Sequence, residues 1–344
     1  MASVAAPVEQ PLDVDEIPAS RKPPSLVKQM LSNRLSVTGF IILGLFVFVA
    51  LAAPLLAPPL PNSRDPMKIP RDGFGTVPMP PGTVWTRNAP PLPFWWKPLT
   101  GLDKWTHPFG MASGGWDIYY GVVWGTRIAF LAGMIITFVT LVIGVLIGSF
   151  SAYYGGVVDL VLQRITEVFM TFPFLMAALT AATILQPIIG GKAGIGGAGL
   201  ITAGIAIIIF GWMGYSRLIR GDILSVRERD YVMAARAVGS KDFRIMLRHI
   251  IPNAVFPTLV VASLDIGTYV LTFAALSFLG LGAEQGYADW GQLLSFARSW
   301  ITTLDQYWYI VFFPGMTLVL FVLGWNLVGD AVRDIMDPRM RKTR

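Results

Sequence analysis

The sequence predicts an all-α polytopic membrane protein with six transmembrane helices and with both termini in the cytoplasm. Of its 344 residues, 54% are hydrophobic and 14% are charged, whereas about 25% of the residues in an average soluble domain are charged. Six apolar runs are long enough to cross a hydrocarbon core about 30 Å thick, which takes roughly 20 residues of helix. The formal net charge of +6 is typical of membrane proteins with basic cytoplasmic loops, so we predict contact with lipid and no nucleic-acid partner.

The six predicted spans divide the chain into a core and flanking regions. The first span begins too far from residue 1, and is too long, to be a cleaved signal peptide. The spans cover Thr38–Leu56, Arg127–Phe150, Ile165–Gln186, Leu200–Tyr215, Ala254–Leu279 and Trp308–Gly329. The predicted regions are a partly disordered cytoplasmic tail over 1–37, the first transmembrane helix over 38–56, an outer segment over 57–125, a five-helix core over 126–329 and a cytoplasmic tail over 330–344.

The distribution of basic residues predicts the orientation of the spans. Eight Lys and Arg residues lie between 217 and 248, and five lie between 333 and 344. The two short loops on the opposite side contain only Lys192 and Arg298. Because short cytoplasmic loops are enriched in Lys and Arg, the loop over 216–252 is predicted to lie in the cytoplasm.

The outer segment over 57–125 is rich in proline, which disfavours long helices and sheets. Tryptophans recur along it, and Trp side chains prefer the membrane–water interface. We therefore expect this segment to lie at the interface and to pack on the helices, with a surface for a delivering protein or for the substrate as the alternative. The tryptophans include Trp85, Trp95, Trp96, Trp105 and Trp116.

The residue inventory predicts a chain that is not an enzyme. With no cysteine and two histidines, it offers no disulfide, thiolate site or histidine-based metal site, and we predict no bound metal. Gly194, Gly196 and Gly199 match the dinucleotide-binding pattern G-x-G-x-x-G, but the pattern follows no strand and is predicted to be a flexible outer turn. The sequence contains no G-x-x-x-x-G-K-[ST] motif, so ATP is expected to bind elsewhere.

The cytoplasmic loop contains a predicted helical hairpin, DYVMAARAVGSKDFRIMLRHIIPN, at Asp230–Asn253. Asp230 is predicted to cap a helix over Tyr231–Val238. One face of that helix carries residues at the spacing i, i+3, i+4, i+7, and its two alanines would let another surface come close. These residues are Tyr231, Ala234, Ala235 and Val238.

The second half of the hairpin is predicted to be a basic amphipathic helix. Gly239 supplies the left-handed residue that ends the first helix, and Ser240 or Asp242 starts the second. Pro252 is expected to stop the second helix as the chain re-enters the bilayer. From the residues alone, the hairpin either packs on its own bundle or is held by a partner.

This loop resembles the EAA loop of ABC-importer permease subunits. The family's two alanines, a glycine four residues after the second alanine, and a hydrophobic–proline pair correspond to Ala234, Ala235, Gly239 and Ile251-Pro252. Other segments resemble the second permease subunit of the dipeptide, oligopeptide and nickel importer group. They are AYYGGVVDLVLQRITEVFMTFPFL at 152–175, LSFLGLG at 276–282, Asp289-Trp290-Gly291, and FFPGMTLVLFVLGWNLVGDAVRDIMDPRMR at 312–341.

The resemblance implies a type I ABC importer (MetI-like) permease fold in the inner membrane of a bacterium or archaeon. It also implies a heterodimer with a second, homologous permease subunit, two cytoplasmic ATPase subunits that use ATP and Mg²⁺, and an extracytoplasmic substrate-binding protein. No cofactor is expected on this chain. Di- or oligopeptides are the expected cargo, and nickel chelates and oligosaccharides remain open.

By the same resemblance, Tyr231–Val238 is the coupling helix that sits in a groove of an ATPase. Met233 stands where the family commonly has the glutamate that names the loop. We therefore expect shape and neighbouring arginines, rather than that carboxylate, to make the contact. The residues assigned to it are Tyr231, Ala234, Ala235, Arg236, Val238, Gly239, Ser240 and Pro252.

Two residues of the fifth predicted span are candidates for the translocation path. Asp265 is a carboxylate at a depth where charge is costly, so it either faces the path or is paired inside the bundle. Phe273 stands where many relatives of the resembled family have glutamate. Glu167, near the end of the third span, is expected to form a local ion pair with Arg164.

Two other classes of function remain as alternatives. An ion-coupled secondary transporter needs a relay of ionisable residues and usually has internal repeats, whereas this sequence has one clear acid in the middle of a span. A membrane-embedded hydrolase needs a nucleophile with a base, and Ser263 and Ser277 have only Asp265 nearby in the sequence.

Overall fold

The computed structural model describes residues 33–61, 63, 65–87, 89–190 and 198–336 of the chain. The predicted disorder of the first 32 residues, the last residues 337–344, and Gly194 and Gly196 of the predicted turn lie outside the described residues. The helices and strands are α1 (Arg34–Leu56), α2 (Trp96–Thr100), β1 (Met111–Ala112), β2 (Trp116–Asp117), α3 (Ile118–Tyr154), α4 (Gly156–Met170), α5 (Phe174–Gly190), α6 (Ala198–Gly211), α7 (Met213–Val226), α8 (Asp230–Ala237), α9 (Asp242–Ile245), a π-helical turn (Met246–Ile250), α10 (Ile251–Ala254), α11 (Phe256–Phe278), α12 (Trp290–Ser295), a 3-10 turn (Arg298–Thr303), α13 (Leu304–Tyr307) and α14 (Tyr309–Met336).

The described residues contain five segments that are long and apolar enough to span a membrane, and six if a bent pair of helices counts as one. The bent pair is α4 and α5, which meet at an angle of 89°. The predicted third span, Ile165–Gln186, covers the end of α4 and most of α5, and the bend lies at Pro173, where the sequence predicts a kink because proline cannot continue the hydrogen-bond ladder of α4. The five unbroken segments are Arg34–Leu56, Ile118–Tyr154, Ala198–Val226, Phe256–Phe278 and Tyr309–Asp334.

The second and fourth spans extend furthest beyond their predicted ends. α3 begins at Ile118 rather than at Arg127, because the side chain of Asp117 accepts a hydrogen bond from the N–H of Tyr120 and caps the helix. The outer segment consequently ends near Asp117. After a short break at Trp212, α7 carries the fourth span on to Val226, so the first part of the predicted cytoplasmic loop is helical.

The long helix α3 lies at the centre of the bundle. It packs along α7 and α11, while α14 packs along α11 and α1. Gly144 and Gly148 bring α3 close to α7, since a Cβ atom at Gly144 would lie 2.6 Å from the carbonyl oxygen of Trp212. Small residues four positions apart commonly allow membrane helices to approach in this way.

The outer segment packs on the ends of α1 and α3 and, among its described residues, has little regular structure. The indole N–H of Trp124 donates to the carbonyl of Ala57 at 2.8 Å, which joins the first turns of α3 to the end of α1. Trp85, Trp96 and Trp105 are buried within the protein. Their rings pack against other protein side chains, in agreement with the prediction that this segment packs on the helices.

A buried histidine joins two parts of the outer segment to the start of α3. His107 is fully buried, and its ring stacks on Trp85 with the centroids 4.4 Å apart. Its Nδ1 lies 2.6 Å from Oδ2 of Asp117, and its Nε2 lies 3.4 Å from Oδ2 of Asp72. Because Asp117 also caps α3, this cluster fixes the outer segment relative to that helix.

Asp72 is held in its ionised form by the segment around it. Burial raises the pKa of the Asp72 carboxyl, but hydrogen bonds from Thr86, from the N–H of Arg87 and from His107 outweigh that effect, and the pKa lies below its usual value. Thr86 donates from both its N–H and its hydroxyl, and the Arg87 N–H donates at 2.6 Å. The buried Asp72 carboxylate thus accepts hydrogen bonds from several donors at once.

We predict that acid loosens the outer segment through Asp72. A carboxyl whose pKa is lowered by folding stabilises the fold above its unfolded pKa of about 3.9, and that contribution is lost as the pH falls through the lowered value. Asp72→Asn should be less stable than the wild type at pH 7 and should lose less stability between pH 7 and pH 3. Melting temperatures of the purified protein, with exposed Asp305→Asn as the control, measure this. Equal pH dependence in the Asp72→Asn variant and the wild type would contradict it.

Candidate functional site

The predicted coupling helix is α8, and its two ends are set by local backbone geometry. Arg229, rather than Asp230, occupies the position before the first turn, and Asp230 lies inside that turn. The prediction that Asp230 caps the helix is therefore wrong, although a carboxylate in the first turn still suits the helix dipole. At the other end Gly239 has a φ of 77°, as predicted, and the N–H of Ser240 donates to the carbonyl of Ala235 at 3.1 Å. This is the glycine-terminated end that stops a helix sharply.

One side of α8 is anchored on the protein itself. Val232 is fully buried and Ala235 is 8% exposed. They pack with side chains from α3, α7, α9 and the following turns, namely Ala152, Tyr153, Ile219, Ile223, Ile245, Met246, Ile250 and Ala254. The prediction that Ala235 belongs to the partner-facing side is therefore wrong, because this apolar cluster takes up the space above its methyl group.

The other side of α8 is exposed and largely apolar. Tyr231 is 43% exposed, Met233 49% and Val238 83%, and Ala234 is also exposed. Tyr231, Ala234 and Val238 are three and seven residues apart and share one face of the helix. Arg236 is exposed beside this face, with its guanidinium 5.4 Å from the ring centroid of Tyr153. The result is a short helix with an apolar surface that no described residue covers.

The second half of the hairpin differs from its prediction at Pro252. α9 passes directly into the π-helical turn and then into α10, so Pro252 lies in the first turn of α10 and does not stop the helix. The N–H of Ile251 donates to the carbonyl of Met246, five residues back. This wider turn accommodates the proline, whose ring would clash with the carbonyl four residues before it in a regular α-helix. The chain breaks at Val255, just before α11.

Asp265 is paired inside the bundle. The hydroxyl of Tyr215 on α7 donates to Oδ2 of Asp265 on α11 at 2.7 Å. Of the two predicted positions for this carboxylate, the structure shows the paired one. Tyr215 lies near the start of α7, and the end of α7 leads into α8 through only Arg227, Glu228 and Arg229, so α7 links this pair to α8.

The remaining predicted residues take ordinary structural positions. Phe273 is 3% exposed and packs in the core formed with α3 and α6, so it offers no surface to a translocation path. Glu167 forms the predicted ion pair, with its Oε2 at 2.9 Å from Nη1 of Arg164. Both side chains of that pair are largely exposed, so the pair adds little to stability.

One ionic cluster beside the hairpin was missed by the sequence reasoning. The Nε and Nη2 atoms of Arg220 donate to the two carboxylate oxygens of Asp159 at 2.7 and 2.6 Å, which joins α4 to α7. Ser151 also donates to Asp159, and Gln163 donates to Ser151. The signal was present in the sequence, since Asp159 is the lone acid in the apolar run GGVVDLVL and therefore needs a partner.

Comparison with known families gives two matches that follow each other along the chain. Residues 144–342 match the family described as "Binding-protein-dependent transport system inner membrane component". Residues 26–91 match the family described as "N-terminal TM domain of oligopeptide transport permease C". The first match contains the whole hairpin and the α4–α5 bend.

Individual relatives are similar over nearly their whole length. A dipeptide transport system permease protein of Alkalihalophilus pseudofirmus is 32% identical over 314 residues, which cover 91% of this chain and 89% of the relative. An oligopeptide transport system permease protein of Bacillus subtilis is 31% identical over 311 residues, which cover 90% and 88%. A solved chain of a methionine ABC transporter in inward-facing conformations gives a TM-score of 0.49 at 17% identity and covers 63% of this chain and 97% of its own.

Two adjacent alanines of α8 provide a matched test of which side is anchored. Ala235→Leu should lower the melting temperature, because the added carbons must enter a filled apolar cluster, and such overpacking typically costs about 1–3 kcal/mol. Ala234→Leu adds the same atoms to the exposed face and should leave the melting temperature unchanged. Thermal unfolding of the two purified variants measures the difference. Equal melting temperatures for the two variants would contradict this assignment of faces.

Proposed function

Because the chain belongs to the family of binding-protein-dependent transport system inner membrane components, it is a multi-span permease subunit of a bacterial ABC importer, and we propose that its cargo is a di- or oligopeptide. The family and the relatives confirm the resemblance seen in the cytoplasmic loop. Both relatives described above are peptide permeases and cover about nine tenths of this chain, which supports the same class of cargo.

The exposed face of α8 is the observation that carries the rest of the proposal. It is an apolar surface on a helix held firmly from behind by Val232 and Ala235. A cytoplasmic ATPase subunit with a groove lined by apolar groups would bury Tyr231, Ala234 and Val238. A helix held in this way transmits force instead of bending when its partner moves.

A displacement of α8 would be transmitted to membrane-spanning helices through α7. Three residues separate α8 from α7, and Tyr215 of α7 donates a hydrogen bond to Asp265 of α11. Closure of two ATPase subunits on ATP would displace α8, and α7 and α11 would follow as one rigid group. Alternating access requires such a displacement of packed helices and no chemistry in this chain.

The remaining partners follow from the transport cycle. A second homologous permease subunit would complete the path as a heterodimer, and a substrate-binding protein would deliver cargo to the outer side. Exposed apolar side chains on α4 and α5, such as Val157 at 78% and Met176 at 68%, provide surface for that subunit and for lipid. The sequence contains no Walker lysine motif, so ATP and Mg²⁺ would be used by the ATPase subunits and this chain would hydrolyse nothing.

Uptake by the reconstituted complex tests the proposal. The complex of this chain with its permease partner, ATPases and binding protein is placed in liposomes, and entry of radiolabelled Ala-Ala is measured. Uptake should require ATP and should persist when the proton gradient is collapsed. Ala234→Leu should reduce uptake at least tenfold because the leucine no longer fits the ATPase, whereas Ala89→Leu, on the outer segment, should have no effect.

Four results would each contradict a part of the proposal. Uptake without ATP, or loss of uptake on collapsing the gradient with ATP present, would indicate a secondary transporter. ATP-driven uptake of a nickel chelate or an oligosaccharide instead of Ala-Ala would retain the importer and exclude peptides as cargo. Normal uptake by Ala234→Leu would exclude α8 as the coupling element.

A further inference from the structure

A polar cavity of about 560 Å³ opens at the same end of the bundle as the outer segment. It lies between the last turns of α5, the first turn of α6 and the connection from α11 to α12, and Ser113 of the outer segment completes it. Its volume falls in the usual range for small-molecule sites, about 300–1,000 Å³. The polar side chains that line it include Ser113, Gln186, Glu284, Gln285, Arg298 and Ser299.

The acidic side of this cavity is held by a buried glutamine. Gln292 is 5% exposed, and its Oε1 accepts hydrogen bonds from the N–H groups of Gly286 and Tyr287 at 2.9 and 3.0 Å. Its Nε2 donates to the carbonyls of Ala283 and Glu284, both at 2.7 Å. Gln292 therefore fixes the backbone of the turn that carries Glu284, while the carboxylate of Glu284 remains exposed.

The side chain of Arg298, on the basic side of the cavity, is also held in place before any ligand binds. The guanidinium of Arg298 lies 4.5 Å from the ring centroid of Phe278, which orients a planar cation without neutralising it. In the described part of the chain, neither Glu284 nor Arg298 has an opposite charge within 4.0 Å. Two opposite charges thus face one cavity without pairing with each other.

We propose that this cavity binds a zwitterionic peptide, with its terminal ammonium at Glu284 and its terminal carboxylate at Arg298. The inference rests on the proposed function and names a subsite for its cargo. An anion and a cation that line one cavity without pairing would bind both charged ends of a free dipeptide, and a peptide with one blocked end would lose one charge-assisted hydrogen bond. The arginine fork suits a carboxylate, which it can bind through two parallel hydrogen bonds.

Peptides with blocked ends test each half of the subsite separately. The reconstituted complex is supplied with Ala-Ala, N-acetyl-Ala-Ala or Ala-Ala-amide, and the concentration dependence of uptake is compared between the wild type and each variant. Glu284→Gln should weaken Ala-Ala about ten- to a hundredfold, the usual effect of losing a hydrogen bond to a charge. It should leave N-acetyl-Ala-Ala unchanged, because that peptide has no ammonium to lose. Arg298→Gln should weaken Ala-Ala similarly and leave Ala-Ala-amide unchanged.

For each peptide, the concentration that gives half-maximal uptake is divided by the wild-type value. This ratio removes the selectivity of the binding protein, because the same binding protein serves the variant and the wild type. Asp305→Asn and Lys104→Gln remove an exposed acid and an exposed base on the same side of the protein, outside the cavity, and should behave as wild type with all three peptides. A Glu284→Gln variant that weakens blocked and free peptides equally, or weakens neither, overturns the subsite. Failure of the wild-type complex to take up Ala-Ala at all would instead overturn the peptide proposal itself.

Discussion

The burial of Val232 and Ala235 is the constraint on which the half of this protein that contains α8 depends. These two side chains fix one side of a helix of eight residues against α3, α7 and the π-helical turn. An isolated helix of that length is unstable in water, so its shape comes from this apolar contact and from the glycine-terminated end at Gly239. Once the helix is held, the opposite face has no alternative position and stays exposed at this end of the bundle.

The outer half has a corresponding constraint in His107. This buried ring lies between Asp72 and Asp117, and Asp117 caps α3. The same long helix contributes Ala152 and Tyr153 to the cluster that holds α8. α3 therefore carries fixed contacts at both of its ends, while α7 and α11 lie along it and are linked by the hydrogen bond from Tyr215 to Asp265.

Composition and span length were enough to predict an all-helical membrane protein, because lipid imposes those features directly. Local chemistry also predicted Gly239 as the end of α8 and the Arg164–Glu167 pair. The continuation of the helix through Pro252 was not predicted, since a proline can break a helix or be accommodated by a wider turn, depending on packing around it. Helical periodicity placed Ala234 and Ala235 on one face, yet only the position of α3 and α7 decides that Ala235 is the buried one.

Photocrosslinking tests most directly whether the exposed face of α8 contacts an ATPase subunit, as we propose. The chain has no native cysteine, so Val238→Cys offers a single labelling site on a side chain that is 83% exposed. A benzophenone maleimide attached there in the purified complex should form a photoadduct with the ATPase subunit. The same reagent on Phe74→Cys, where the native side chain is 78% exposed on the outer segment, should not. An adduct at Val238→Cys confined to this chain or to lipid, with the ATPase present and unlabelled, would contradict contact between α8 and the ATPase.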